Sequence, residues 1–407
     1  MSEQVLSARG PMPPAAARSA RPPLLTRRFV ALLIAQSSFG FAFSSFFLLP
    51  KFLADELGVG PAAIGLLHAT HSASAVVGLL VMGVVVDRFG RRRFLTAGGL
   101  LMAAASLAFV TTSEFGPLLY ALRVLQGLAF AMAFVAGAAL AVDQAPSERL
   151  GQALGLFGVS MLAMNALAPV AVETLAMRLG WGPAFATAAA GALLCALLSR
   201  LLYEHPHEPA ADAGPRSLLR VARRPEQLRA GAVIALVGSC FGSLFVFGQL
   251  YAIEIGLHEV HALFTAYAIA ALTVRLGFGQ LGDRLGRIRV SAAALIVYAA
   301  GAFAMPELAT LGLAPIGAVF GLAHGLFYPT YNATVVDGAP PGERGKIVAL
   351  FQGWFNVGMG AGSFALGLLA ERSGYEAVFW VSGAGILLAL GILLGGRRPR
   401  AGSIQPT

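Results

Sequence analysis

Twelve stretches of mostly apolar residues run along the chain, at 29–50, 61–86, 94–112, 116–142, 151–172, 181–203, 229–253, 260–282, 289–306, 311–336, 346–370 and 375–396, with short polar breaks between them. A helix needs roughly 20 such residues to cross the hydrocarbon core of a bilayer. The pattern therefore predicts twelve spans, segments 1 to 12 in chain order. The breaks repeat. Gly83-Val-Val-Val-Asp87-Arg88-Phe-Gly90-Arg91 returns 196 positions later as Gly279-Gln-Leu-Gly-Asp283-Arg284-Leu-Gly286-Arg287. Asp143-Gln-Ala-Pro146 returns after 194 as Asp337-Gly-Ala-Pro340, and Gly180-Trp181 returns after 194 as Gly374-Tyr375. Landmarks matched at nearly one spacing predict an all-α integral membrane fold of two pseudo-symmetric six-helix bundles, 29–203 and 229–396. Many secondary transporters are built from such repeats, with the solute site near the midplane between them.

The polar remainder fits this plan. Residues 1–28 form an N-terminal tail, and the Pro, Ala and Arg content of 1–26 predicts disorder. Residues 204–228 link the halves, with a short amphipathic turn expected near Ser217–Ala222, and 397–407 form a C-terminal tail. Of the 407 residues, 57% are hydrophobic and only 12% charged, against about 25% charged in soluble domains. Lipid must be the solvent for most of the surface. The net charge of +9 follows topology, not nucleic-acid binding. Of 29 Lys and Arg, 24 lie before segment 1, after segment 12 or in breaks on that same side, hereafter the basic end. The far end has only Lys51, Arg178 and Arg372. The positive-inside rule puts the basic end, with both termini, in the cytoplasm. Cys195 and Cys240 fall inside predicted spans and suggest neither a disulfide framework nor a metal pair. No cofactor is expected.

Gly83 through Leu95 resembles the loop 2–3 signature of the major facilitator superfamily, and Gly279–Val290 resembles the matching loop 8–9 signature. Arg123-Val-Leu-Gln126-Gly127 in segment 4 is similar to that superfamily's helix 4 motif, common in proton-coupled members. The resemblance covers about 29–396, and the second half looks most like bacterial small-molecule efflux permeases. It implies a monomeric carrier in a bacterial inner membrane, a small-molecule substrate and the proton as coupling ion. It also implies a conformational switch made of Gly83, Asp87, Arg88, Gly90 and Arg91, with a second copy at Gly279, Asp283, Arg284, Gly286 and Arg287. In the family the first such aspartate meets the N-terminus of helix 11, where the helix dipole favours an anion. Asp87 is thus expected to latch the cytoplasmic side shut. The glycines also suit close helix passage and tight reversal. A motif serving topology alone would need only the arginines, which leaves the Asp and Gly spacing unexplained.

Charges within spans are costly and functional by default, and only Arg123 and Arg275 qualify among the bases. Arg123 is expected to line the cavity and take part in coupling, or else to serve as a hydrogen-bonding post between helices. Arg275 is expected to bond loop or carbonyl oxygens, with substrate contact as the other reading. No carboxylate stands at mid-depth; Glu173 and Glu254 come closest, at the outer ends of segments 5 and 7. His324, Tyr328, Tyr331 and Asn332 form one polar stripe in segment 10, and a histidine titrates in the working range. His68 and His71 lie in the outer half of segment 2. The resemblance puts helices 1, 4, 7 and 10 around the cavity. The expected substrate and proton pathway is therefore Gln36, Arg123, Gln126, Gln249, His324, Tyr328 and Tyr331, joined by Asn165, Gln352 and Asn356 from segments 5 and 11. Segment 5 keeps Pro169 but lacks the paired glycines of the family's antiporter signature, which weighs against drug:proton antiport.

The sequence thus predicts proton-coupled efflux of a small organic solute by alternating access. The rival is proton-coupled import of an organic anion drawn to Arg123 and His324. A non-transporting membrane sensor would need an effector domain that the polar segments do not supply. An enzyme would need a nucleophile–base pair or metal-ligand cluster, and neither stands out.

Overall fold

The computed structural model describes residues 23–146, 149–204, 215–337, 339–340 and 343–395. The expected disorder of residues 1–22, the tail 397–407 and linker residues 205–214 lie outside the described residues. Thr26 starts α1 (Arg27–Asp55), its hydroxyl accepting from the Phe29 amide at 3.2 Å. There follow α2 (Pro61–Phe89), α3 (Arg91–Phe109), α4 (Pro117–Asp143), α5 (Leu150–Leu179) and α6 (Trp181–Ser199). The second half has α7 (Pro225–Glu254), α8 (His261–Gly277), α9 (Arg287–Leu311) and α10 (Leu313–Asp337). A last helical run, Arg344–Gly395, turns at Gly374 and supplies α11 (344–373) and α12 (375–395). Proline opens α2, α4 and α7, where the first turn has no use for an amide N–H. The linker contributes one short amphipathic helix, Pro215–Ala222. It packs Val221 and Ala222 on Ile347 and Leu350 of α11.

The repeat read in the sequence is present in the backbone. Gly90 and Gly286 take φ of 101° and 92°, and Gly180 and Gly374 take 85° and 80°. That conformation strains any residue with a Cβ, so glycine recurs where each half turns sharply. The packing repeats as well. In the first half α1 lies on α5 and α6, α4 on α2 and α3, and α3 on α6. In the second half α7 lies on α11 and α12, α10 on α8 and α9, and α9 on α12. Small residues let these backbones approach: a Cβ on Gly358 would collide with the Ala235 carbonyl of α7. Large apolar side chains such as Leu197, Ile269, Ile296 and Leu388 remain more than half exposed, as lipid-facing positions should.

Two long seams join the halves, α2 against α11 and α5 against α8, and α1 meets α7 between them. They are tight at the far end. A Cβ on Gly367 would lie 2.8 Å from the Pro61 carbonyl, and one on Gly360 2.7 Å from Ser72 Cβ. Gly353, seven residues below Gly360 on the same face of α11, would meet nothing within 4 Å. Gly83 on α2, five full turns from tightly packed Gly65, also meets nothing. On the other seam, a Cβ on Gly158 would lie 3.9 Å from the Arg275 guanidinium, while one on Gly151 would meet nothing within 4 Å. The halves splay toward the basic end.

Candidate functional site

The helices of both halves enclose a cavity of about 140 Å³. Phe43 and Phe130 stack at 4.9 Å on the first half's wall, Phe241 and Phe245 at 4.1 Å on the second's, and Phe47 meets Phe245 edge-on at 5.0 Å across the seam. Beside these rings α7 leaves regular α-helix for a wider turn, Ser243–Gly248, and α1 tightens over Phe46–Leu48. Such departures re-aim side chains at functional sites. The polar lining is Arg123, His68 and His71 on the first half, with Asn165, Gln352 and Asn356. Arg123 is 4% exposed and donates to Gln126 Oε1 at 2.8 Å.

Of the expected pathway residues, Arg123, Asn165, Gln352 and Asn356 line this cavity. Asn165 accepts from Ser44 at 2.7 Å, and Asn356 donates to the Gln352 carbonyl at 2.9 Å. The others stand behind the lining. Gln36 is buried between helices, its amide donating to Met161 Sδ at 3.2 Å. Gln126 is buried as the partner of Arg123. His324 packs against Phe241 at 5.1 Å and Phe355 at 5.9 Å, with Tyr298 OH 3.4 Å from its Nδ1. Tyr328 stands behind the lining, bonded to Gln352 and edge-on to Phe355 at 5.5 Å. Tyr331 faces a separate groove near the basic end that Arg224 and Arg229 share. Gln249 crosses the seam, donating to the Phe47 carbonyl of α1 at 2.7 Å. His68 and His71, less prominent in the sequence, are in the lining, and His68 Nδ1 lies 3.2 Å from Ser363 Oγ across the seam.

Above the cavity, at the far end, the seam is sealed by charge. Glu173 of α5 is fully buried and takes four donors. They are Lys51 Nζ of α1 at 2.5 Å, the Val260 and His261 amides at 3.0 and 2.7 Å, and His261 Nδ1 at 2.7 Å. The carboxylate of one half thereby caps the N-terminus of α8 in the other, where unpaired amides and the dipole favour an anion. Lys51 also donates to the His258 carbonyl.

The two switch motifs sit at the basic end. Asp87 is part of α2, but its side chain lies outside the described residues. Arg88 places its guanidinium over the Phe89 ring at 5.4 Å. Gly83 makes no close passage in this state, and Gly279 meets only the Arg275 carbonyl of its own half at 2.9 Å. Arg91 pairs with Asp143, and Arg287 with Asp337 and, at 2.7 Å, with Asp283. In each half one repeated landmark is thus bound to the other. Arg284 reaches Gln280 at 3.3 Å. Arg224 bonds Glu343 at 2.6 and 2.8 Å, tying the linker to the loop before α11 and holding that carboxyl below its usual range.

Paired six-helix halves around a shared cavity, sealed by charge at the far end, define a polytopic membrane carrier. The chain belongs to the Major Facilitator Superfamily, whose model matches residues 30–259 and 252–407. It is a transporter and not an enzyme. It is 28% identical over 354 residues to the multi-drug resistance efflux pump PmrA of Streptococcus pneumoniae, covering 81% of this chain and 85% of that protein. It is 26% identical over 379 residues to the multidrug resistance protein MdtG of Enterobacter lignolyticus, covering 86% and 87%. Among solved structures the nucleoside transporter NupG matches with a TM-score of 0.78 at 13% identity, covering 91% of this chain and 99% of that one. The human organic anion transporter MFSD10 matches at 0.71 and 18%, covering 92% and 100%.

Proposed function

We infer that this carrier exports a small organic solute from the cytoplasm in exchange for protons, by alternating access. The observation that carries the reading is the asymmetry of the seams: Glu173 closes the far end across the halves while the glycine faces of α2 and α11 part at the basic end. With the basic end in the cytoplasm, this is the state that receives solute from inside. The bodies that rock are 29–203 and 229–396, joined by 204–228, and one chain makes the whole path. Switching requires the Glu173 cap on α8 to break and a counterpart to form at the basic end, the role we assign to Asp87 on α11. The far-end seal also offers a site for the coupling proton. Glu173 and His261 face one another, with Lys51 and His258 beside them and Asp55 close to Lys51. Neutralising Glu173 removes the anion that α8 and Lys51 hold. The efflux names of PmrA and MdtG support the outward direction.

The test uses purified protein in proteoliposomes with an imposed pH gradient and labelled aromatic solutes of each charge type. Gradient-dependent flux of at least one, lost with a protonophore and in Asp87→Asn, supports the reading. Flux indifferent to the gradient in the wild type removes proton coupling from it.

A further inference from the structure

We propose that the cavity takes an aromatic monoanion, with the acid group seated on Arg123 and the ring between the phenylalanine walls. This deepens the transport reading above and rests on it. Arg123 is 96% buried by its 4% exposure, lines the cavity, and its Nε has no hydrogen-bond partner. Its one described side-chain partner, Gln126, is neutral and sits three residues along the same helix. A post between helices would bond a neighbouring helix, and among the described residues this side chain bonds none. No carboxylate lines the cavity among the described residues, and none pairs with Arg123 or with Arg275, the other guanidinium inside a span.

A buried cation without a counter-ion is costly, and that cost is relieved when a carboxylate or sulfonate accepts from the guanidinium fork. A cationic guest would meet a like charge in a low-dielectric cavity. The remaining polar lining, His68 and His71 with the amides of Asn165, Gln352 and Asn356, adds no negative charge. Rings on both walls supply the apolar contact: Phe43–Phe130 from one half and Phe241–Phe245 from the other, with Phe47 bridging them. The guest therefore touches both halves through its ring and one half through its charge.

Three probes with one skeleton decide the matter: naphthoate, naphthalenemethanol and naphthylmethylammonium, substituted at the same ring position. Binding to the full-length protein in nanodiscs is measured by equilibrium dialysis. Naphthoate is expected to bind about tenfold or more tighter than the alcohol, the surplus of a bidentate ion pair over a single hydrogen bond to a neutral oxygen, with the ammonium weakest. Arg123→Gln should bring naphthoate down to the level of the alcohol, with the larger loss on naphthoate, and Arg123→Lys should keep the preference. If Arg123→Gln fails to fold, the wild-type ranking and the lysine variant still decide. Ammonium binding equal to or tighter than naphthoate, no binding of any probe, or a preference that survives Arg123→Gln overturns the proposal. Flux of the cation in proteoliposomes would refute the anion and leave the carrier reading intact. Naphthoate binding without flux under any gradient would do the reverse.

Discussion

Glu173→Gln is the perturbation whose effect follows most directly from the geometry. The amide keeps the size of the side chain but loses the charge. Three of the four donors to Glu173 come from the other half: the Val260 and His261 amides and His261 Nδ1. A hydrogen bond to a charged group is worth about 1 kcal/mol more than a neutral one, and the Gln NH2 cannot accept from the donors that met a carboxylate oxygen, so the closed far end weakens by about 3 kcal/mol or more. At 1.36 kcal/mol per factor of ten, the equilibrium between far-end-closed and far-end-open states moves by roughly 150-fold. Spin labels at Glu56, beyond α1, and at Glu259, before α8, report this by electron–electron double resonance in nanodiscs. The wild type should give one short distance, and Glu173→Gln a second, longer one that dominates. A variant distribution that superimposes on the wild type would refute the view that this carboxylate holds the seam.

Other outcomes follow from the same coordinates. Asp143→Asn should cost about 3 kcal/mol or more in thermal stability, because its pair with Arg91 is largely buried, whereas Asp337→Asn, whose carboxylate is 67% exposed, should cost about 1 kcal/mol or less. Gly358→Ala should destabilise by about 1–3 kcal/mol through overlap with the Ala235 carbonyl, while Gly353→Ala, with nothing within 4 Å, should leave the melting temperature within a few degrees. The Arg224–Glu343 tie is present above the ordinary carboxyl range and lost only as pH falls through the lowered value of Glu343. Hydrogen exchange over the linker helix Pro215–Ala222 should therefore be flat between about pH 5 and 8 after correction for intrinsic exchange, and faster throughout in Glu343→Gln.

Much of the fold was legible because lipid makes length and polarity decisive: predicted segment 2 at 61–86 is α2 (Pro61–Phe89), and segment 4 at 116–142 is α4 (Pro117–Asp143). The departures have physical causes. Segment 1 was expected to stop at 50 and runs to Asp55, because Pro50 falls in the first turn of Leu49–Asp55, where proline is tolerated. Segment 5 was expected to stop at 172 and runs to Leu179, because Glu173 marks no helix end: its charge is met by Lys51 and α8. The cavity was half legible. Arg123 declared itself as a charge inside a span, but helical spacing alone could not tell the lining from the layer behind it, which holds His324 and Gln126. The seal had no local signal at all, since Lys51, Glu173 and His261 come together across 122 and 88 residues of chain.

In the proposed cycle the halves open at one end at a time. Gly353→Cys tests it, because the native Cys195 and Cys240 are buried and position 353 faces open space between α11 and α2. A membrane-impermeant maleimide should label this cysteine in inside-out vesicles and not in right-side-out ones, and adding Glu173→Gln should protect it as the far end opens. Labelling from the external side in the wild type, or labelling that Glu173→Gln leaves unchanged, would contradict the account.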